Sequence, residues 1–530
     1  MNWIKTYHRK ILLLWWKTRI YSHWLGNQLP VTLQNLPEVP EFFSRAIFLA
    51  DNSEGLFLSP NPLSIPQKYW PLSNEPYSRG LHGYRWVTLN TFSASNAKLN
   101  YKLQGNILKW IELWEHWHSF VWRSDLLGER IGYWLSLHQA ICMNASPNFR
   151  KKFYVCLFRQ AKHLHHAHLE DTNSWHCFLA HWGRIYSAFA FTAFNKKRKR
   201  TIKYFELDIQ KHVLPDGGHI SRSPSIALAL LAILVNVRDL LICFQQTLPE
   251  ALVAGIDRLA PFVKALRHGD GGFALFGGSI EGNSDLIDEV LKASKTNPRA
   301  ITNARYTGFS RLRAGQTTAI FDSGILSEPH YRNTSSASAL AFELSNGKSR
   351  LVCNCGNRTA KKTTIWNKAL FASAAYSTIT LADKSVSSIF HVIHNRNDYK
   401  GSRFVEATHD AYYREFGVNI TRTLYLSSDG HDFRGEDKVT GDSNAPFVIR
   451  FHIHPDVRIF QLERKTRAIL KPLNGHTWQF DCLLPFTIEK SVYFGSGHLR
   501  RTLMLAVNGC LTKNETLIKW KFSTQASPKI

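Results

Sequence analysis

Near residue 279 the spacing of apolar residues changes character, and that change bounds what the chain can fold into. Between about 96 and 266, apolar residues recur at three- and four-residue steps. The runs are 103–117, 126–145, 149–164, 175–194 and 204–212, followed by 224–244 and 249–266. That period puts them on one face of a helix, and several short linkers suit antiparallel helices packed together. Beyond 279 the runs are short, β-branched and aromatic: 307–322, 337–354, 373–381, 403–408, 421–427, 446–454, 461–470, 487–493, 501–507 and 516–522. Turns such as Ser345-Asn346-Gly347, Ser428-Asp429-Gly430 and Leu473-Asn474-Gly475 separate many of them. Closely spaced short strands argue an antiparallel sandwich. The expected order is therefore an irregular basic region over 1–80, a helical domain over 81–295 and a β-sandwich over 296–530.

Two glycine-paired turns mark the end of the helical half. The first, LPDGGHISRSPS at 214–225, has Pro215, then Gly217 and Gly218, which allow backbone angles other residues resist. Ser223-Pro224 then opens a long apolar helix. The second, LRHGDGG at 266–272, repeats the Asp-Gly-Gly, and 270 − 216 = 54 residues separate the two aspartates. Two helices lie between, which should return the chain to the side it left. On that geometry His219, Arg222, His268 and Asp270 are expected near one cleft, with Asp216 and Arg267 beside them. A His and an Arg at a helix mouth suit capture of a carboxylate or phosphate. The same turns also serve as plain helix connections whose His caps or packs.

The charge balance narrows the partner. The chain has 66 basic and 40 acidic residues, a formal charge of +26, which favours a polyanion: acidic polysaccharide, nucleic acid or a membrane surface. Sixteen Trp and 18 Tyr add flat faces for stacking, although many must be core. No module of the usual nucleic-acid repertoire is visible, so nucleic acid ranks last. The N-terminal segment is basic and aromatic. Its apolar run, 11–16, is short for a signal peptide and far short of a spanning helix. It reads as an amphipathic helix on the protein, or on an anionic membrane. The charge run 196–203, KKRKRTIK, reads as a solvated loop between helices.

The eight cysteines are dispersed and show no disulfide framework. His163, His165, His166 and His168 read as a partly exposed polar face, because no clean carboxylate–His pattern accompanies them. His452 and His454 alternate along a strand without an identifiable third ligand. No metal or other cofactor is expected.

The two turns, together with LHGYRW (81–86), WRSDLLGERIGYWL (122–135), ALAFELSNGKSRLVCNCGN (339–357), THDAYYREFG (408–417), GEDKVTG (435–441), RFHIHPDV (450–457) and EKSVYF (489–494), resemble the heparinase II/III family of polysaccharide lyases, most closely an alphaproteobacterial branch. The resemblance runs from about residue 80 to 522. It implies an N-terminal (α/α) toroid followed by a C-terminal antiparallel β-sandwich, a cleft between them and a cell-envelope or periplasmic setting. It also implies β-elimination on a uronate-containing polysaccharide. That reaction needs the sugar carboxylate neutralised, a base to take the C5 proton and an acid for the leaving oxygen. In this reading His219 and Arg222 hold the carboxylate and His268 or His219 carries the proton. Asp216, Asp270, Arg267, His409, Tyr376 and Arg422 contact substrate.

Several positions depart from the family pattern. Pro224-Ser225-Ile226 lacks the Tyr that many members carry after the first turn. Ser336 stands where a His is usual, Asn354 where some relatives place a metal-binding Asp, and Tyr376 and Asn419 where the branch tends to have His. His330 or Tyr376 could substitute locally. With Ser and Asn at two ligand positions, a family-type zinc site is not expected. Two functions follow: a lyase, or a lyase-like protein that binds anionic envelope glycan with catalysis weakened or lost.

Overall fold

The computed structural model describes residues 11–26 apart from 13, 70–72, 76–84, 97–323 apart from 168 and 170–173, 338–356, 369–386, 389, 391–462 and 465–524. Most of the 1–80 region, the end of LHGYRW, His168, His330 and Ser336 lie outside the described residues. The chain forms two compact units, one of Met1–His212 with Ala229–Ile256, the other of Val213–Leu228 with Asp257–Ile530. The division differs from the expected boundary at 295: both glycine-paired turns group with the β region.

The first unit is helical: α1 (Arg19–Gly26), α2 (Pro76–Gly83), α3 (Ala97–Trp114), α4 (Ser124–Ser136), α5 (His138–Cys142), α6 (Pro147–His166), α7 (Trp175–Ala190) and α8 (Arg198–His212). Ser146 caps α6 by accepting from the Phe149 N–H at 3.2 Å, with Pro147 at the first helical position as its fixed φ prefers. Gly128 of α4 and Gly183 of α7 lie face to face; a Cβ on either would strike the other helix's backbone, so the pair sets how closely the two helices approach. Trp110, Trp134 and Tyr84 fill the neighbouring core edge to face, with Trp110–Trp134 centroids 5.4 Å apart and Tyr84–Trp134 4.9 Å apart. These aromatics are core and offer no stacking surface to a ligand.

Two local expectations change here. The 196–203 run is no loop: α8 begins at Arg198, whose guanidinium lies over Phe189 and Phe244 and donates to the Ala188 carbonyl. Aromatic faces and free helix-end carbonyls attract that charge and start the helix early. The histidine cluster is split: His165 is half-buried and His166 exposed, as a partly exposed face requires, but His163 is buried against Trp122 and Tyr21, and burial pushes its pKa down to about 3.

Helices α9 (Pro224–Cys243) and α10 (Glu250–Ala265) each pass from one unit into the other. α9 is long and apolar enough to cross a membrane, but 78% of its apolar window is buried, as suits a core helix.

In the second unit, α11 (Ser284–Ser294), which the sequence reading left unassigned, is capped by Asn283 accepting from the Leu286 N–H at 3.0 Å. Three antiparallel sheets follow among the described residues. The first has β1 (Asn303–Ala304), β2 (Phe309–Ala314), β3 (Thr317–Asp322), β4 (Phe342–Asn346) and β5 (Ser349–Val352) in sequence order. The chain then supplies β6 (Ile379–Leu381), β7 (Val392–Tyr399), β8 (Ser402–His409), β9 (Asn419–Leu426), β10 (Asp432–Thr440), β11 (Pro446–His452) and β12 (Val457–Gln461). It ends with β13 (Arg467–Pro472), β14 (Trp478–Cys482), β15 (Phe486–Tyr493), β16 (Arg500–Cys510) and β17 (Glu515–Thr524). The second sheet runs β12-β13-β14-β17-β10-β9-β8-β7 and the third β15-β16-β11-β6. Burial along β9 and β10 alternates residue by residue, the mark of sheets with one face on a core. Phe451 of β11 meets Trp520 and Phe480 of the second sheet at 4.9 and 5.2 Å, and Phe342 of β4 stacks on Trp520 at 5.2 Å, so one aromatic core serves all three sheets.

A basic cleft as candidate functional site

The two glycine-paired turns are one device built twice. In each, the aspartate Oδ1 accepts from the N–H of the second glycine: Asp216 from Gly218 at 3.0 Å, Asp270 from Gly272 at 2.9 Å. The first glycines, Gly217 and Gly271, sit at φ +84° and +86°, where a Cβ is strained. Leu214 N donates to Gly218 O at 2.8 Å and His268 N to Gly272 O at 2.9 Å, which closes each turn. Superposed through the 54-residue offset, His268 matches Leu214 and His219 matches Phe273, so the two imidazoles are not equivalent.

The outer oxygen of each aspartate ties its turn to the first sheet. Asp216 Oδ2 accepts from the Tyr306 and Thr307 N–H groups, both at 2.7 Å. Asp270 Oδ2 accepts from Arg350 Nε at 2.7 Å. Burial pushes the Asp270 carboxyl up, but the Arg350 guanidinium outweighs it and holds the group below its ordinary range. The first turn meets β3 at Asp322, and the second meets β4 at Ser345, which lies opposite Thr318 of β3. Four residues along a strand is roughly 13 Å. The turns therefore share a sheet but stand apart along it.

Most of the expected chemical side chains work inside the fold. His219 is buried, its Nδ1 accepting from the Ser221 N–H at 3.0 Å. Arg222, at φ +60°, donates to the Thr307 carbonyl at 2.7 Å, pairs with Asp322 and lies 4.8 Å from the Phe309 ring centroid. His268 is enclosed with Nε2 2.9 Å from Glu343 Oε2 and Nδ1 2.8 Å from Ser345 Oγ. Burial lowers its pKa against the opposing pull of Glu343, which keeps the ring neutral. His409 is buried and pushed down to about 4 by desolvation. Tyr376 is buried. Arg422 is fully enclosed, donating to both Asp437 oxygens at 2.7 and 2.9 Å and to the Leu340 and Ser377 carbonyls at 2.8 Å. Their expected contact with substrate meets a physical obstacle, since burial and internal pairing leave these groups no free face for a sugar.

Asp270 and Arg267 differ, because they edge a real depression. Beside the second turn the surface of this unit hollows into a cleft of about 500 Å³. Lys264, Arg267, Arg311 and Arg313 supply its positive charge, against Asp270 and Asp288. Arg311 and Arg313 stand two apart on β2 and so share a face. Burial, then the neighbouring Arg313 and Arg267 charges, push Arg311 down to about 10, still a cation at neutral pH. Its Nη1 donates to the Ala265 carbonyl at 2.7 Å, which fixes the guanidinium. Arg267 is partly neutralised by Asp288 at 2.7 Å. Arg313 is exposed and makes no hydrogen bond or ion pair among the described residues. Gly269 lets the turn meet the β4–β5 hairpin, because a Cβ there would fall on the Gly347 carbonyl oxygen. Arg311, Arg313 and Lys264 escaped the sequence reading; the available signal was the Arg-x-Arg alternation on a strand before a tight turn.

A cluster of guanidiniums in a concavity binds carboxylate or sulfate through paired N–H donors. Proton removal needs more. Among the described residues no tyrosine lines this cleft, and the His268 side chain behind it is sealed. Elsewhere Tyr493 donates to Glu281, and burial holds its phenol well above the ordinary range, the wrong direction for a base.

Residues 296–521 match the family described as Heparinase II/III-like, C-terminal. That C-terminal region is heparinase II/III-like. The chain also superposes on the solved structure of heparinase III with a TM-score of 0.70 at 13% identity, covering 95% of this chain and 88% of that one. A mutant heparan sulfate lyase from Pedobacter heparinus gives 0.65 at 14% identity over 88% and 79%. At such identities the likeness shows the fold, a helical toroid followed by a β-sandwich. FtsZ-localized protein C of Caulobacter vibrioides is 25% identical over 487 residues, 84% of this chain and 82% of that protein. The alphaproteobacterial leaning of the sequence accords with that relative.

Proposed function

We propose that this chain is a lyase-derived binding protein that holds an acidic polysaccharide in the basic cleft beside residues 266–272 without cleaving it. One observation carries the reading. The groups best suited to elimination, His219, Arg222 and His268, are enclosed and committed to internal partners, while at the cleft Lys264 and Arg313 are exposed and the Arg313 side chain makes no hydrogen bond or ion pair among the described residues. Such a site exchanges water for guanidinium contacts with carboxylate or sulfate and moves no proton. Titration with a uronate-rich or sulfated glycan should show saturable binding that weakens steeply with salt, since exposed charges are screened within about 8–10 Å. Arg313→Glu should weaken it severalfold with little change in stability, because exposed substitutions stay within about 0.5 kcal/mol. Binding indifferent to salt and to Arg313 would refute the cleft.

A second reading rests on the breadth of the match to the Caulobacter relative. There the chain would work at the site marked by FtsZ, in or at the cell envelope, with a protein partner in place of the glycan. A fluorescent fusion that gathers with FtsZ, and keeps doing so after Arg313→Glu, would favour this reading over the first.

A further inference from the structure

The helical unit holds a second cluster, unrelated to the basic cleft. Cys177 and His181 stand four apart on α7, one turn and one face. Asp208 projects from α8 toward them. All three are buried, and one donor atom from each lies within 4.8 Å of the other two. From this geometry we propose that Cys177, His181 and Asp208 bind one divalent transition-metal ion of the zinc type.

The donor set fits the ion. A tetrahedral zinc site takes sulfur at about 2.3 Å and nitrogen or oxygen at about 2.0–2.2 Å, which puts neighbouring donors about 3.3–3.8 Å apart. In the structure the three donors lie within 4.8 Å of one another, with His181 and Asp208 in direct contact, so that pair must part to admit an ion. A thiolate and a carboxylate around a neutral imidazole balance a dication. Three protein donors leave the fourth position for water or a small anion.

The surroundings are those of a held site. Phe178, Phe205 and His212 from the same two helices pack beside it, with Phe178–Phe205 centroids 5.2 Å apart and Phe178–His212 5.4 Å apart. Tyr204 stacks on His181 at 6.0 Å. Arg184 donates to the Leu164 and Ala167 carbonyls at 2.9 and 2.6 Å and still interacts electrostatically with Cys177 and Asp208, a nearby positive charge that favours their anionic, ligating forms. His181 Nδ1 meets Asp208 Oδ2 directly. On binding, the ion takes the proton's place between His181 Nδ1 and Asp208, the imidazole proton moves to Nε2 so that the ring stays neutral, and the Cys177 thiol proton leaves to solvent.

Cobalt(II) is the probe. The full-length chain, stripped with a chelator, is titrated with Co²⁺ and followed in the visible and near ultraviolet. One equivalent should bind with strong tetrahedral d–d bands and a thiolate-to-cobalt charge-transfer band, and Zn²⁺ should abolish both. Cys177→Ser should lose the charge-transfer band. Its affinity should fall by at least the roughly 10–100-fold that losing an outer-shell partner costs. Cys142→Ser, which alters a buried thiol outside the cluster, should keep both. A wild-type chain that takes up no stoichiometric Co²⁺ with this spectrum overturns the proposal, as does a charge-transfer band that survives Cys177→Ser.

Discussion

Arg422 shows how a residue that reads as a substrate contact becomes a structural one. Its guanidinium and the Asp437 carboxylate are both wholly enclosed, and the Trp520 indole N–H completes the carboxylate at 2.8 Å. Arg422→Ala would strand a buried charge, so chemical denaturation should show a loss of about 3–5 kcal/mol. A purely substrate-binding Arg would show almost none. The buried histidines add a pH dependence. Desolvation holds His409 and His452 at about 4 in the folded chain, while unfolded imidazoles take their proton near 6.5. Between those values the unfolded state binds more protons. Their contribution is therefore complete above about pH 6.5 and declines as pH falls toward 4, by on the order of 3 kcal/mol per histidine. Unfolding midpoints at pH 7 and 4.5 should show this decline, and His409→Gln with His452→Gln should reduce it, the remainder coming from other buried imidazoles such as His163.

At the scale of elements, the repeated Asp-Gly-Gly turn fastens the chain twice in the same way. Aspartate ties the turn to its own glycine with one oxygen and to the first sheet with the other. Gly269 tests this directly. Gly269→Ala drives a methyl into the Gly347 carbonyl, and a forced shift in a packed contact costs about 1–3 kcal/mol. The melting temperature should drop accordingly, and anion binding by the adjoining cleft should weaken with it. The helices over 97–265 and most later strands were legible because 3.6 and 2 residue periods survive in the sequence. The long charged strands β7 and β10 were not, since their outward residues outnumber or equal the apolar signal that marks a strand. α11 was hidden because a single amphipathic helix beyond the last long run resembles loop. The 266–272 turn stands out in the sequence by its glycines. Arg311 and Arg313 beside it do not, because β2 brings them in through tertiary packing that no local pattern records.

Across the whole molecule, the proposed binding role rests on a basic composition, a basic cleft and imidazoles that are enclosed. The fold class could be read from periodicity and motifs because two architectures follow each other along the chain. Whether the chemistry survived could not, because burial of His219 or His268 depends on partners such as Ser221, Glu343 and Ser345 that only folding supplies. The decisive measurement is a time course of ultraviolet absorbance in the unsaturated-uronate band, at protein concentrations that saturate binding to a panel of acidic glycans. The account predicts a flat trace for every glycan that binds. A rising band that disappears in His219→Ala or His268→Ala would contradict it and restore the enzyme.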